Sequence, residues 1–263
     1  MSTILAAVDR TPTARAVLDT ARLLVRTFDG RAVAVHVVAP GEDVPSQLAA
    51  TAGMPLQVLV GEPADAICRA CEAADVDLVV FGARQGATGS RPVGHVAFAV
   101  MTRTDIPAVV VPPDAWEHIP RRLAKALVPL DPATAASPVL QGAVSALAGA
   151  GAEVVVLHVI DRPPRFLDHP ERDLDEWAHQ LVARHLPVSV RTEVRTGSTS
   201  RSALMVAAAE RVDLIVLAWN RRLNSDHAGV VRDILNRACV PVLLLPIDAR
   251  TAPLERLTAG IPT

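Results

Sequence analysis

Short runs of consecutive apolar residues alternate along the chain with longer segments in which apolar positions recur every three or four residues. The runs at 3–8, 31–38, 56–60, 77–82 and 107–111 are apolar almost throughout and are bounded by turn residues. That is the pattern of strands buried on both faces, where Val, Ile and Leu need not alternate with polar residues. Between them, 12–28 (PTARAVLDTARLLVRTF) carries apolar residues at helical spacing, with Pro12 tolerated in the first turn, and further helices are predicted over 62–74 and 93–103. Buried parallel strands linked by helices imply right-handed crossovers and a doubly wound α/β layout.

The same order of elements then returns. ILAAVD ending at Asp9 recurs as ALVPLD ending at Asp131 (131 − 9 = 122), and AVAVHVV with His36 recurs as VVVLHVI with His158 at the same offset. Further on, Gly61 aligns with Gly197 and Asp77 with Asp213, both at an offset of 136, so the second copy carries 14 extra residues after its second strand. Pro107 aligns with Pro241 at 134, two residues fewer. Register kept through so many landmarks marks a tandem duplication. The expected division is a first domain at 1–112, a Pro-rich linker at 113–123, a second domain at 124–247 and a tail at 248–263. Each domain is expected to be an open five-stranded parallel sheet of order 3-2-1-4-5 with helices on both faces. The last strands, PAVVVP and PVLLLP, are short and apolar; left bare they invite aggregation, so pairing with each other or with a second chain is expected.

Composition narrows the function. Of 263 residues half are hydrophobic but only 3% are aromatic, with no Tyr, which suits close helix-on-sheet packing and argues against base-stacking platforms. With 26 basic against 28 acidic residues there is no electrostatic footprint for nucleic acid. The N-terminal MSTILAAVDR has no basic leader and reads as a first strand, and no stretch is long enough to span a bilayer. An odd number of cysteines, three, argues against a disulfide framework and for a reducing compartment, so a cytoplasmic location is expected.

In an open parallel sheet of this order, ligands sit beyond the carboxyl ends of the strands, where the strand order reverses between the first and fourth. Asp9 closes the first strand there and Gly82 the fourth. A loop follows with Gly82, Gly86, Gly89 and Gly94 and two cations, Arg84 and Arg91, running into a helix. Glycines let backbone N–H groups approach an anion, and a helix N-terminus adds favourable partial charge, so this is a candidate phosphate cradle; the alternative is a surface loop.

The layout resembles the universal stress protein family in its tandem form, over nearly all of 3–112 and 124–246. The resemblance is carried by strands ending in Asp9 and Asp131, by His36-Val37 and His158-Val159, and by the helix start at Gly61, Pro63 and Ala64. It is carried also by Asp77 to Val80 and Asp213 to Val216, and by the Pro-Val-type last strands. It implies a Rossmann-like sandwich, dimerisation through the last strand and, in one branch, ATP binding through a Gly-x2-Gly-x9-Gly-Ser/Thr loop. Carried over by position, Asp9 with the main chain around Ala7 and Val37 contacts the adenine and ribose end, and Gly82, Gly86 and Gly94 serve the phosphates. This loop departs from that motif: Gln85 stands at the second Gly, Gly82 to Gly94 spans 12 residues instead of 13, and His95 replaces the hydroxyl residue. An imidazole there still has one hydrogen bond to donate. In the second copy the loop opens with Ala218 and Trp219, keeps one glycine, Gly229, and carries Asp226 near the helix start, where a carboxylate caps a helix but repels phosphate. Arg221 and Arg222 are its cations. That copy is expected to bind no nucleotide.

Other residues carry weaker signals. Cys68 and Cys71 form a C-x-x-C inside a predicted helix, where buried structural thiols compete with redox chemistry that needs a helix N-terminus. Cys239 before Val240-Pro241 reads as packing. The insertion gathers Asp168, His169, Glu171, Asp173, Asp175, Glu176, His179 and His185 with Trp177, read as a metal cluster, an ordinary helix start, or a lid or partner surface. His36 and His158 read as structural. No Ser/His/Asp triad, metalloprotease motif or Walker lysine occurs. The expected function is a non-catalytic, at most weakly ATP-hydrolysing, stress-response regulatory module with a nucleotide in its first domain only. Its rivals are a ligand-free interaction protein and an enzyme of the adenine-nucleotide α/β superfamily. No metal, nucleic acid or membrane partner is expected.

Overall fold

The computed structural model describes residues 2–43, 53–73, 76–83, 93–112, 115, 119–131, 134–160, 176, 180, 182–184, 186, 190–221 and 226–247. In the first repeat the elements run β1 (Thr3–Ala7), α1 (Thr13–Phe28), β2 (Arg31–Val38), β3 (Leu56–Val60), α2 (Pro63–Ala73), β4 (Leu78–Gly82), α3 (His95–Arg103) and β5 (Ala108–Val111). In the second they run β6 (Lys125–Pro129), α4 (Pro138–Gly149), β7 (Glu153–Ile160), β8 (Arg191–Thr196), α5 (Thr199–Ala209), β9 (Leu214–Trp219), α6 (Asp226–Arg237) and β10 (Val242–Pro246).

All ten strands join in one sheet of order β3-β2-β1-β4-β5-β10-β9-β6-β7-β8. Each repeat contributes five parallel strands in the expected 3-2-1-4-5 order, and the repeats meet where β5 and β10 pair antiparallel. The register there is Val110 with Val242, Val109 with Leu243 and Ala108 with Leu244. At the offset of 134 that aligns Pro107 with Pro241, Val109 and Leu243 are equivalent residues (243 − 109 = 134), so a pseudo-two-fold axis passes through that pair. The last strands are thus interior, each paired on both sides within one chain.

Strand side chains alternate between two apolar layers. Ile4 and Ala6 of β1 join one, with α1 and α4; Leu5 joins the other, with α2, α3, α5 and α6. Both layers run across the β5–β10 seam, Val109 and Leu243 in the first, Ala108, Val110, Val242 and Leu244 in the second. Burial nearly throughout β1, β4 and β5 explains their continuous apolar runs, whereas β3, expected to be buried on both faces, is a half-exposed edge strand with Val60 57% exposed.

Asp77 and Asp213, which keep register in the repeat, tie the starts of strands together. The Asp77 carboxylate accepts the Thr3 N–H at 2.9 Å, while its own N–H donates to Thr3 O at 2.9 Å. Asp213 Oδ2 likewise accepts the N–H groups of Ala124 and Lys125, at 2.7 and 2.9 Å. At the same end, Lys125 and Arg191 bridge Glu210 and Glu153; both cations hold the Glu210 carboxyl below the usual carboxylate range, Lys125 more strongly. This is the end of the sheet opposite the crevice.

Cys68 and Cys71 are buried on the sheet-facing side of α2. Burial pushes both thiols up, Cys71 to about 12, so neither forms a thiolate near neutral pH. Cys239 is exposed. Titrating the folded protein with a disulfide reagent is therefore expected to label one thiol per chain promptly, and all three only after denaturation; rapid labelling of two or more in the native state contradicts the burial of α2. Most of the insertion, including Asp168, His169, Glu171, Asp173, Asp175, His179, His185 and Trp177, lies outside the described residues.

Candidate functional site

A cleft of about 680 Å³ opens at the carboxyl ends of β1, β2 and β4. It lies where the strand order reverses, and its size falls within the roughly 300–1,000 Å³ of small-molecule sites. Ala7, Asp9, Val37, Gly82, Gly94 and His95 all line it. Arg84 and Gly86, with the rest of the glycine loop at 84–92, lie outside the described residues.

β1 ends at Ala7, and Asp9 stands two residues beyond it in an exposed turn. Its Oδ1 accepts the Thr11 N–H at 2.9 Å and the Thr11 hydroxyl, an Asx turn that fixes the carboxylate as the chain enters α1. Oδ2 has no partner among the described residues. Arg10 is paired with Glu42, whose carboxyl is held below its ordinary range by the Ala39 N–H first and by Arg10 second. The nearest cation in sequence is therefore drawn away from Asp9. No Lys or Arg occurs among the described residues that line the cleft.

The main chain around Val37 is directed by the ladder. The Val8 N–H donates to Val35 O on the β1 side, and the Gly61 N–H to Val38 O on the β3 side. Alternation along the strand turns the Val37 N–H and C=O to the β1 side, just past the last rung there.

Gly82 has a steric reason to lack a side chain: a Cβ there would lie 2.8 Å from Thr13 Cγ2 and 3.4 Å from both Thr13 Cβ and Val17 Cγ2. The first turn of α1 thus packs directly on the end of β4. Gly94 precedes α3 with φ −53° and ψ 156° and accepts the Phe98 N–H through its carbonyl, a conformation open to any residue. His95, the first residue of α3, is exposed at the cleft.

His36 was not among the residues expected at the site, yet it lines the cleft while 5% exposed. Its Nδ1–H donates to Val8 O at 2.9 Å, and its buried Nε2 has no partner among the described residues. The signal for it in the sequence was the duplicated His-Val at strand ends. In the second repeat His158 Nδ1 donates to Leu130 O at 3.2 Å, and burial lowers the ring's affinity for a second proton below its ordinary value.

The second crevice is built differently. By the offset of 136, Ala218 and Trp219 replace Gly82 and Ala83. Trp219 is 3% exposed and packs in the layer with α5 and α6; its indole N–H has no partner among the described residues. Arg221, in a left-handed backbone conformation at φ 61°, pairs with Asp105 of the first repeat. Side chains of Asp226 and of the residues at 222–225 lie outside the described set.

The sequence pattern of the universal stress protein family matches residues 49–112 and 123–246. The chain belongs to the universal stress protein family. Two matches in tandem agree with the repeat, although the first begins at residue 49, beyond β1, α1 and β2, which carry Ala7, Asp9 and Val37. Assignment of those elements to the repeat rests on the offset of 122 and the common strand order. Among solved structures, the chain is similar to a universal stress protein from Archaeoglobus fulgidus DSM 4304 at 17% identity, covering 92% of this chain and 95% of that one with a TM-score of 0.64. It is also similar to a putative universal stress protein from Pseudomonas aeruginosa UCBPP-PA14 at 13% identity, covering 98% and 96% with a TM-score of 0.67. At such identities these likenesses establish the tandem α/β fold alone. No curated protein matches the chain. Among the described residues no helix is long and apolar enough to cross a membrane, and no group of three or more His, Cys, Asp or Glu gathers as a metal site.

Proposed function

We propose that this universal stress protein is a ligand-sensing regulatory module that binds an adenine nucleotide in its first repeat only. The observation that carries the reading is convergence: Ala7, Asp9, Val37, Gly82, Gly94 and His95, picked from separate parts of the sequence, line one cleft of nucleoside size at the strand-order reversal. A carboxylate with one oxygen unpartnered among the described residues suits ribose hydroxyl donors, and an outward-turned main-chain N–H and C=O suit the edge of a base. The phosphate contacts fall to the loop that begins after Ala83. The role is binding, with the second repeat as the packing partner that supplies β10 and shields β5. On this reading the protein acts in the cytoplasm as an intrachain pseudo-dimer, and dimerisation through the last strands is replaced by the internal seam.

Isothermal titration with ATP tests it. Binding by the wild type, weakened at least tenfold by Asp9→Ala (about 1.4 kcal/mol or more), is the expected result. Equal affinity in that variant overturns the placement of the site.

A further inference from the structure

A regular parallel ladder between β1 and β2 has a natural next step. After the Val8 N–H to Val35 O bond, the following rung would run from the Val37 N–H to Val8 O. That carbonyl is instead taken from the side by the His36 ring, 2.9 Å from Nδ1. A carbonyl only accepts, so Nδ1 carries a proton. Among the described residues the buried Nε2 has no partner, a cost that an apolar residue in the same place would avoid. The second repeat keeps the same ring on the equivalent carbonyl, that of Leu130 beside Asp131. The contact made by Nδ1 is thus the feature common to both copies.

We propose that His36 is a positioning residue of the first-repeat site: its Nδ1–H clasps Val8 O, fixing the turn that carries Asp9 and leaving the Val37 main chain facing the cleft. One side chain thereby sets both groups assigned to the nucleoside. The proposal rests on the nucleotide reading for its purpose, but the clasp itself is a property of the unliganded protein.

The test combines three readouts on the full chain. In wild-type protein, long-range proton–nitrogen NMR of the imidazoles is expected to find His36 as the Nδ1–H tautomer; the Nε2–H tautomer overturns the clasp. His36→Leu removes the donor while keeping an apolar body, and His36→Asn keeps an N–H near the Nδ1 position. Hydrogen exchange at the Val8 amide is expected to accelerate about tenfold in His36→Leu and to stay within about threefold of wild type in His36→Asn. Exchange unchanged in His36→Leu, or equally fast in both variants, overturns the proposal, because a merely space-filling role would not be rescued by asparagine. With ATP as the probe, affinity is expected to fall about tenfold in His36→Leu and to return in His36→Asn. Full ATP affinity in His36→Leu overturns the positioning role. Absence of ATP binding by the wild type defeats the nucleotide reading and the positioning role with it, while the tautomer and exchange results still decide the clasp.

Discussion

Replacing Leu243 by Asp is expected to destabilise the whole chain by about 3–5 kcal/mol. Leu243 is 1% exposed and lies on the pseudo-two-fold axis opposite Val109. A carboxylate there meets an apolar layer shared by both repeats: its strand neighbours are Val109 across the seam and Val216 alongside. The residue must either protonate or drive the strands apart. Opening the seam strips β5 and β10 of one partner each and exposes two apolar edges, so aggregation is expected alongside lower stability. Urea unfolding followed by far-ultraviolet circular dichroism measures the loss, and size-exclusion chromatography the aggregation. A variant as stable and monodisperse as wild type would mean that the two repeats do not depend on their seam.

The second large effect is at the contact between α1 and β4. Gly82→Ala is expected to cost about 1–3 kcal/mol, since its Cβ meets Thr13 Cγ2 at 2.8 Å and has Val17 close behind. At the matching offsets of the sequence repeat, the second copy carries the sizes exchanged. The residue equivalent to Gly82 is Ala218 (218 − 82 = 136), and the residue equivalent to Thr13 is Ala135 (135 − 13 = 122), fully buried. Adding Thr13→Ala to Gly82→Ala reproduces that pair. The double variant is expected to recover about 1–2 kcal/mol of the loss, measured as a coupling energy in a double-mutant cycle of thermal or urea unfolding. Additive effects would show that the steric contact is relieved elsewhere.

This contact changes what the glycine means. In the sequence Gly82 stood as the first residue of a phosphate loop, and the structure adds that the helix packing beside it demands a small residue whether or not a phosphate binds. No spacing in the sequence could reveal that, because Thr13 and Gly82 are brought together only by the crossover through β2, β3 and α2. The strands, by contrast, were legible: burial on both faces makes β1, β4 and β5 apolar almost throughout, and the bounds of these strands and of β2 fall within a residue of the runs. The seam was legible as a need, since PAVVVP and PVLLLP are too apolar to remain bare, but not as a register. Pairing of Val109 with Leu243 follows from symmetry between copies and required the repeat offset to be recognised in three dimensions.

At the site, Asp9 and Gly82 are legible because strand ends converge in a doubly wound sheet, a matter of topology, whereas Ala7 and Val37 follow only from the family resemblance. His36 reads as structural in the sequence because its one hydrogen bond to a main-chain carbonyl leaves no trace in spacing beyond the duplication at His158. Trp219 was legible as an oddity among so few aromatics. Its placement in the layer with α5 and α6 depends on which way the last residue of β9 faces.

On the proposed function, duplication has left one binding crevice and one packing partner in a single chain. Counting ATP bound per chain at saturation, by equilibrium dialysis of wild type and Asp9→Ala, tests it most directly. One nucleotide per wild-type chain and none at the same concentration in the variant is the predicted result. Two per chain, or one that survives loss of the Asp9 carboxylate, would contradict it.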